Sequence, residues 1–255
     1  MLRGRAAAAA GRSSCPVRAG AAAPAAAAGA AVEEEAAAVS PAAAAVSAAE
    51  FFARAQARLT LEVPPGLADP NVTPKRGDHD ADPVMRKIAE LRPIRPAAVL
   101  VGVVDHSEPT VLLTQRAQHL PDHPGQVSFP GGKIDPSDEN PLASALREAE
   151  EEIGLARAHV SPIGYLDLYM TTLGYRIVPV IARVAPGFAL TLNTAEVDNV
   201  FEVPLSFLMD QANVQRHARD WQGMTRHYYA ITFGERYIWG VTAGILRNLY
   251  DRIYR

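Results

Sequence analysis

Four glutamates, Glu148, Glu150, Glu151 and Glu152, crowd the last turn and a half of a helix predicted over Pro141–Glu152. The partial negative charge of a helix C-terminus opposes them, and Gly154 follows where a left-handed cap would end the helix. At about 100° per residue, Glu148, Glu151 and Glu152 share one arc of about 100°, while Glu150 points elsewhere. Three hard oxygen donors without His or Cys suit Mg²⁺ or Mn²⁺ rather than zinc. Arg147 can pair with Glu151 one turn on. Leu142, Ala145, Leu146, Ala149 and Ile153 recur at helical spacing and can bury the opposite side. A charge run alone is usually a solvated face; the structured Phe129-Pro-Gly-Gly132 turn upstream tells against that reading here. An EF-hand fails on its ligands, since Asn140 replaces the turn glycine and Leu146 the bidentate Glu.

The segment from Gly132 to Leu155 resembles the Nudix box, G-x5-E-x7-R-E-U-x-E-E-x-G-U, with U apolar. Arg147, Glu148, Ala149, Glu151, Glu152, Gly154 and Leu155 fit it. Glu139 stands at the right distance before Arg147, but the stretch from Gly132 to Glu139 is one residue longer than the pattern. Upstream, LLTQRAQHLPDHPGQVSFPGG (Leu112 to Gly132) is similar to the signature of the coenzyme A pyrophosphatase branch. The similarity continues through Gly174–Val180, Ala195–Val197, Val203–Leu205 and Ile238–Ala243, and covers most of the chain after about residue 90.

The resemblance implies an α/β/α sandwich and a metal-dependent hydrolase. Glu148, Glu151 and Glu152 would hold Mg²⁺ or Mn²⁺, and Arg147 would orient a glutamate, with Glu151 also counted in the catalytic set. Arg116 or Lys133 could neutralise charge on phosphate oxygens, and Gly131, Gly132 and His123 would meet the substrate. Hydrolysis of coenzyme A or its derivatives would give 4'-phosphopantetheine and adenosine 3',5'-bisphosphate. The alternatives are another nucleoside diphosphate derivative, such as ADP-ribose, NADH or a dinucleoside polyphosphate, and a non-catalytic nucleotide-binding module, which the intact glutamates oppose.

Glu196, in the Asn193–Glu196 loop, is an ordinary solvated loop residue by type. A general base from outside the box is one option the resemblance implies, so Glu196 is a candidate for that role or for completing the metal shell. His119 and His123 are four apart, but Pro121 and Pro124 oppose a helix between them, which disfavours zinc. Tyr228, Tyr229, Tyr237 and Trp239 read as core or rim residues.

The elements that must position these groups follow an α/β order. Short helices are predicted over Ala49–Leu59 and Met85–Leu91, with a loop from Val63 to His79 between them. Ala97–Val104 is a continuous apolar run, expected of a strand buried on both faces, and Thr110–Thr114 should form a hairpin with it. Strands are further expected at Val127–Phe129, Ile163–Tyr169, Ile177–Val184, Val200–Val203 and Tyr228–Phe233. A helical turn over Leu205–Met209 and a closing amphipathic helix over Val241–Tyr254 complete the set. The division expected is a disordered tail over 1–47, helices and a loop packing on the core over 48–92, and the catalytic domain, a mixed sheet between helices, over 93–255.

Of 255 residues 48% are hydrophobic, a figure inflated by an Ala-rich N-terminal segment without helical or strand periodicity. Arg3, Arg5, Arg12 and Arg18 precede any acid, which also suits a transit peptide to an organellar matrix. The Ala blocks lack amphipathic spacing and Glu33–Glu35 follows, so a cytoplasmic location is the expectation. The single cysteine, Cys15, rules out an intrachain disulfide. A net charge of −3 gives no footprint for nucleic acid, and no span suits a membrane helix. The expected partner is a small-molecule substrate. Residue types do not set the oligomeric state, and a homodimer is compatible with them.

Overall fold

The structure is a computed structural model describing residues 47–255 apart from Gln222. The Ala-rich segment, except its last residue Ser47, and Cys15 lie outside the described residues. The chain opens with α1 (Ala48–Arg58), capped by Ser47, whose Oγ accepts from the Glu50 N–H at 3.2 Å. There follow β1 (Arg76–Gly77), α2 (Met85–Glu90), β2 (Arg95–Val104), β3 (Thr110–Arg116), β4 (Val127–Ser128), β5 (Gly131–Lys133) and α3 (Pro141–Ile153). Next come β6 (Val160–Tyr165), β7 (Tyr169–Met170), β8 (Tyr175–Val184), β9 (Val197–Pro204) and α4 (Leu205–Met209). The chain closes with β10 (Gln215–Trp221), β11 (Met224–Phe233), β12 (Arg236–Trp239) and α5 (Val241–Tyr254).

The apolar run in β2 organises the fold. Its side chains alternate between two layers: Ala97, Val101 and Val103 join a core with Phe51 of α1 and Ile245 and Leu249 of α5. Ala98, Leu100 and Val104 join another with Ala145, Ala149 and Ile153 of α3. The sheet therefore lies between α3 and the α1/α5 pair, which is the α/β/α sandwich expected. Ile153 is fully buried, and burying such a side chain stabilises by about 1.5–3 kcal/mol.

The large sheet is mixed, in the order β1-β7-β8-β2-β3-β4, with β5 on β2, β6 on β8 and β9 on β3. β2 runs parallel to β8 over all ten residues, Arg95↔Tyr175 to Val104↔Val184. Its other edge is divided. Ala97–Val99 pair with β5, whereas only Val103 and Val104 pair with β3. β3 and β2 thus separate, and the glycine turn enters the gap: the Leu100 N–H donates to the Pro130 carbonyl at 2.8 Å.

Most predicted elements fall where expected, with instructive exceptions. The strand expected over Ile163–Tyr169 divides into β6 and β7, after a register shift between Pro162 and Gly164. The loop over Val63–His79 contains β1, which pairs parallel with β7. β10 and β12 form a second, three-stranded antiparallel sheet with β11. Among the described residues no helix is long and apolar enough to cross a membrane.

Candidate functional site

Helix α3 begins at Asn140, whose Oδ1 accepts from the Ala143 N–H at 2.9 Å, with Pro141 at the first position. It ends at Gly154 in the left-handed region (φ 70°), with the Gly154 N–H donating to the Glu150 carbonyl at 2.9 Å. The Thr191 and Asn193 N–H groups donate to the carbonyls of Ile153 and Glu152, each at 2.9 Å. The helix end is thereby tied to the loop that carries Glu196.

The glycine turn faces the glutamates. The Gly131 N–H donates to Glu152 Oε2 at 3.2 Å. A Cβ on Gly131 (φ 147°) would stand 2.4 Å from the Ala98 carbonyl oxygen, so this position admits only glycine without strain. A Cβ on Gly132 would stand 2.7 Å from the Glu148 carboxyl carbon. Both glycines are needed for close approach, one to β2 and one to Glu148.

Arg147 holds a second set of carboxylates. Its Nε and Nη2 donate to the two oxygens of Asp138 at 2.9 and 3.0 Å, and its Nη1 lies 2.9 Å from Glu151 Oε2 and 3.0 Å from Glu148 Oε1. The fork on Asp138 holds that carboxyl far below the usual carboxylate range. The Asp138 side chain is largely covered, at 5% exposed, whereas Glu139 is exposed. The acid fastened to Arg147 is thus Asp138 rather than the Glu139 that spacing selects. A tight turn achieves this: the Ser137 N–H donates to Asp135 Oδ1 at 2.9 Å and the Asp135 N–H to Asp138 Oδ2 at 2.8 Å.

Glu148, Glu151 and Glu152 do not converge equally. Glu151 turns to Arg147 and solvent, with its side chain 56% exposed, while Glu152 is buried. Burial pushes the Glu152 carboxyl up to about 8, with the charges of Glu148 and Glu196 adding to the rise and the Gly131 N–H and Arg116 opposing it. Burial also raises Glu148, against the pull of Arg147 and with Glu151 and Glu196 adding. Among the described residues no group of three His, Cys, Asp or Glu side chains is set to hold a metal ion. The donor chemistry nonetheless suits a hard divalent cation: the ionisation of Glu148 and Glu152 is opposed by burial and by neighbouring carboxylates, and a cation would relieve both.

The remaining candidates surround this pair. Glu196 is close enough for its charge to act on Glu148 and Glu152, and its Oε1 accepts from Asn193 Nδ2 at 3.1 Å. Its loop is latched to the segment after β3 by Ala117 N–H to the Glu196 carbonyl (2.8 Å) and Gln118 N–H to Asp198 Oδ2 (2.9 Å). His119 Nε2 lies 3.1 Å from the Ala195 carbonyl, a structural contact rather than a metal ligand. Arg116 stands at a register shift in β3, and its Nε is buried with no hydrogen-bond partner among the described residues. His123 is exposed and holds a left-handed backbone (φ 55°). Lys133 extends into solvent from β5, and its carbonyl accepts from Arg147 Nη2 at 3.5 Å. Glu150 pairs with Arg157 at 3.4 Å on the surface.

Sequence spacing passed over Asp138, Asn193 and Asp198. The Asp135-Pro-Ser-Asp138 run carried a turn signal for the first; the other two carried none.

A glycine turn set against a carboxylate helix in a sandwich of this topology defines a class. A family model described as the NUDIX domain matches residues 93–222, and the chain belongs to that family. It is similar to the proteins described as "Uncharacterized Nudix hydrolase NudL" of Yersinia pestis (strain Pestoides F) and Yersinia pseudotuberculosis (serotype O:1b, strain IP 31758). Each is 37% identical over 159 residues, which span 62% of this chain and 80% of the relative. Among solved structures, a C. elegans Ap4A hydrolase in a binary complex is 22% identical with a TM-score of 0.38, covering 43% of this chain and 80% of that one.

Proposed function

We propose that this protein hydrolyses the diphosphate bond of a nucleoside diphosphate derivative with the help of Mg²⁺ or Mn²⁺, and that its substrate is coenzyme A or a derivative of it. The observation that carries the hydrolase reading is the pairing of partly buried Glu148 with buried Glu152 against the Gly131–Gly132 turn. Glu148 and Glu152 would hold the cation, with Glu151 or Glu196 completing its shell. When bound, the cation would neutralise phosphate oxygens and acidify a water.

The chain's own groups do the rest. Arg147 holds Glu148 and Glu151 in place through its anchor on Asp138. Arg116, whose charge acts on Glu152 and whose Nε has no hydrogen-bond partner among the described residues, would meet charge growing on a phosphate oxygen. Glu196, which accepts from Asn193, would take a proton from the attacking water. The coenzyme A assignment rests on the Leu112–Gly132 signature, whose latched segment after β3 borders the site, and its products would be 4'-phosphopantetheine and adenosine 3',5'-bisphosphate. A cytoplasmic setting suits that substrate.

A panel of coenzyme A, acyl-coenzyme A, NADH, ADP-ribose and diadenosine polyphosphates with Mg²⁺ or Mn²⁺, read by product mass, tests the reading. Cleavage of coenzyme A in preference to the others is expected. Intact coenzyme A beside a cleaved competitor overturns the substrate assignment, and no cleavage of any overturns the hydrolase reading.

A further inference from the structure

The small sheet presents a face that the proposed reaction does not use. Tyr229, Ile231 and Ile238 turn into the core, so the alternate positions of β10, β11 and β12 turn outward. There Arg219 of β10 pairs in register with Arg226 of β11. Like charges directly opposite one another across strands are destabilising. No carboxylate at a strand position of that face relieves them: Asp220 belongs to the other side and accepts from Thr225 Oγ1 at 2.7 Å. Arg226 Nε is buried and has no hydrogen-bond partner among the described residues.

Rings flank the arginine pair on both sides along the strands. Trp221 lies on one side, with the Arg219 guanidinium 5.5 Å from its centroid. On the other side His217 stands opposite Tyr228, with centroids 5.9 Å apart, and Tyr228 meets Trp239 edge-on at 5.4 Å. Tyr237 Oη closes this group, 3.2 Å from His217 Nδ1.

Two guanidinium groups without a carboxylate partner among the described residues suit an anion, and rings beside them suit a flat body. We propose that the outward face of the β10–β12 sheet binds a purine mononucleotide, its phosphate between Arg219 and Arg226 and its base on the adjoining rings. A net charge of −3 opposes a polyanion, and a second copy of the chain would bring like-charged arginines together. The inference stands apart from the hydrolase reading.

Both tryptophans of the chain, Trp221 and Trp239, lie on this face, so intrinsic fluorescence of the full chain reads it directly. Titration with AMP in EDTA should quench the emission saturably. Adenosine, lacking the phosphate, and ribose 5-phosphate, lacking the base, should each bind at least about ten-fold more weakly. Arg219→Ala/Arg226→Ala should weaken AMP binding at least about ten-fold while keeping the circular-dichroism spectrum of the parent. Absence of saturable quenching at millimolar AMP overturns the proposal, as does undiminished AMP binding in the double variant. So does quenching by a single-stranded oligonucleotide but not AMP, or a dimer that Trp221→Ala disperses.

Discussion

The carboxylates around α3 form two sets that differ in what balances their charge. Asp138 and Glu151 are balanced from within, by the guanidinium of Arg147. Glu152 and Glu196 have no such cation bonded to them, and Glu148 stands between the sets with one oxygen on Arg147. Charge neutralised by the protein itself is architecture. A carboxyl kept protonated by burial, beside others without an internal cation, is held ready for a cation that arrives later.

The largest break in this contrast should come from Glu152→Gln. The amide keeps an oxygen for the Gly131 N–H and cannot ionise to hold a cation. We expect Mg²⁺-dependent turnover to fall at least about 10²-fold, with no loss of melting temperature in EDTA. Unchanged turnover would take Glu152 out of the metal site.

The two glycines should fail differently. Gly131→Ala sets a Cβ against the backbone of β2 at a left-handed φ, and urea unfolding should show a loss of about 1–3 kcal/mol. Gly132→Ala meets the movable end of Glu148 instead. Its stability should stay within about 1 kcal/mol of the parent, and turnover should fall about ten-fold or more as Glu148 is displaced.

Asp138→Asn tests the internally balanced set. Loss of the charged fork to Arg147 should cost about 1–3 kcal/mol, whereas Glu139→Gln should lie within about 0.5 kcal/mol of the parent. Equal effects in urea unfolding would return the role to Glu139.

The gentlest expected effect is on pH dependence, where the two sets act with opposite sign. Glu152 titrates at about 8 in the folded protein against an ordinary 4.5. Its contribution is complete below about pH 4.5 and lost as pH rises toward about 8, because the folded state keeps a proton that the unfolded chain releases. Asp138 is held below its ordinary 3.8, so its contribution is complete above that value and lost as pH falls beneath it. Urea unfolding in EDTA should therefore show stability declining from about pH 5 to 8. Glu152→Gln should remove that decline, and a decline unaltered in that variant would assign it to another group.

Helix α3 and strand β2 were legible because each carries its pattern unaided: caps at both ends with a helical stripe in one, an unbroken apolar run in the other. β10 was not, since Gln-Arg-His-Ala-Arg-Asp-Trp has no apolar alternation and becomes a strand only beside β11. β1 and β7, two residues each, depend wholly on each other and on β8. At the site, linear spacing found the glutamates and the Arg147–Glu151 pair, but counted back from Arg147 it set the acid of the box on Glu139 and passed over Asp138. Counted from Gly132, the acid of the box falls on Asp138, and the Asp135–Asp138 turn settles which of the two faces inward. Glu196 was visible only as a loop acid, because its nearness to Glu148 and Glu152 comes from backbone bonds between segments distant in sequence.

The long parallel pairing of β2 with β8 also bears on how the molecule assembles. Arg95 meets Tyr175 across an interval of 80 residues, taken as 175 minus 95, and every residue of the glycine turn and α3 lies within that interval. Closing so large a loop forfeits chain entropy before any contact is gained, and such distant pairings slow folding. Refolding should therefore wait on that closure, and the carboxylate pocket should mature with the central strands rather than before them.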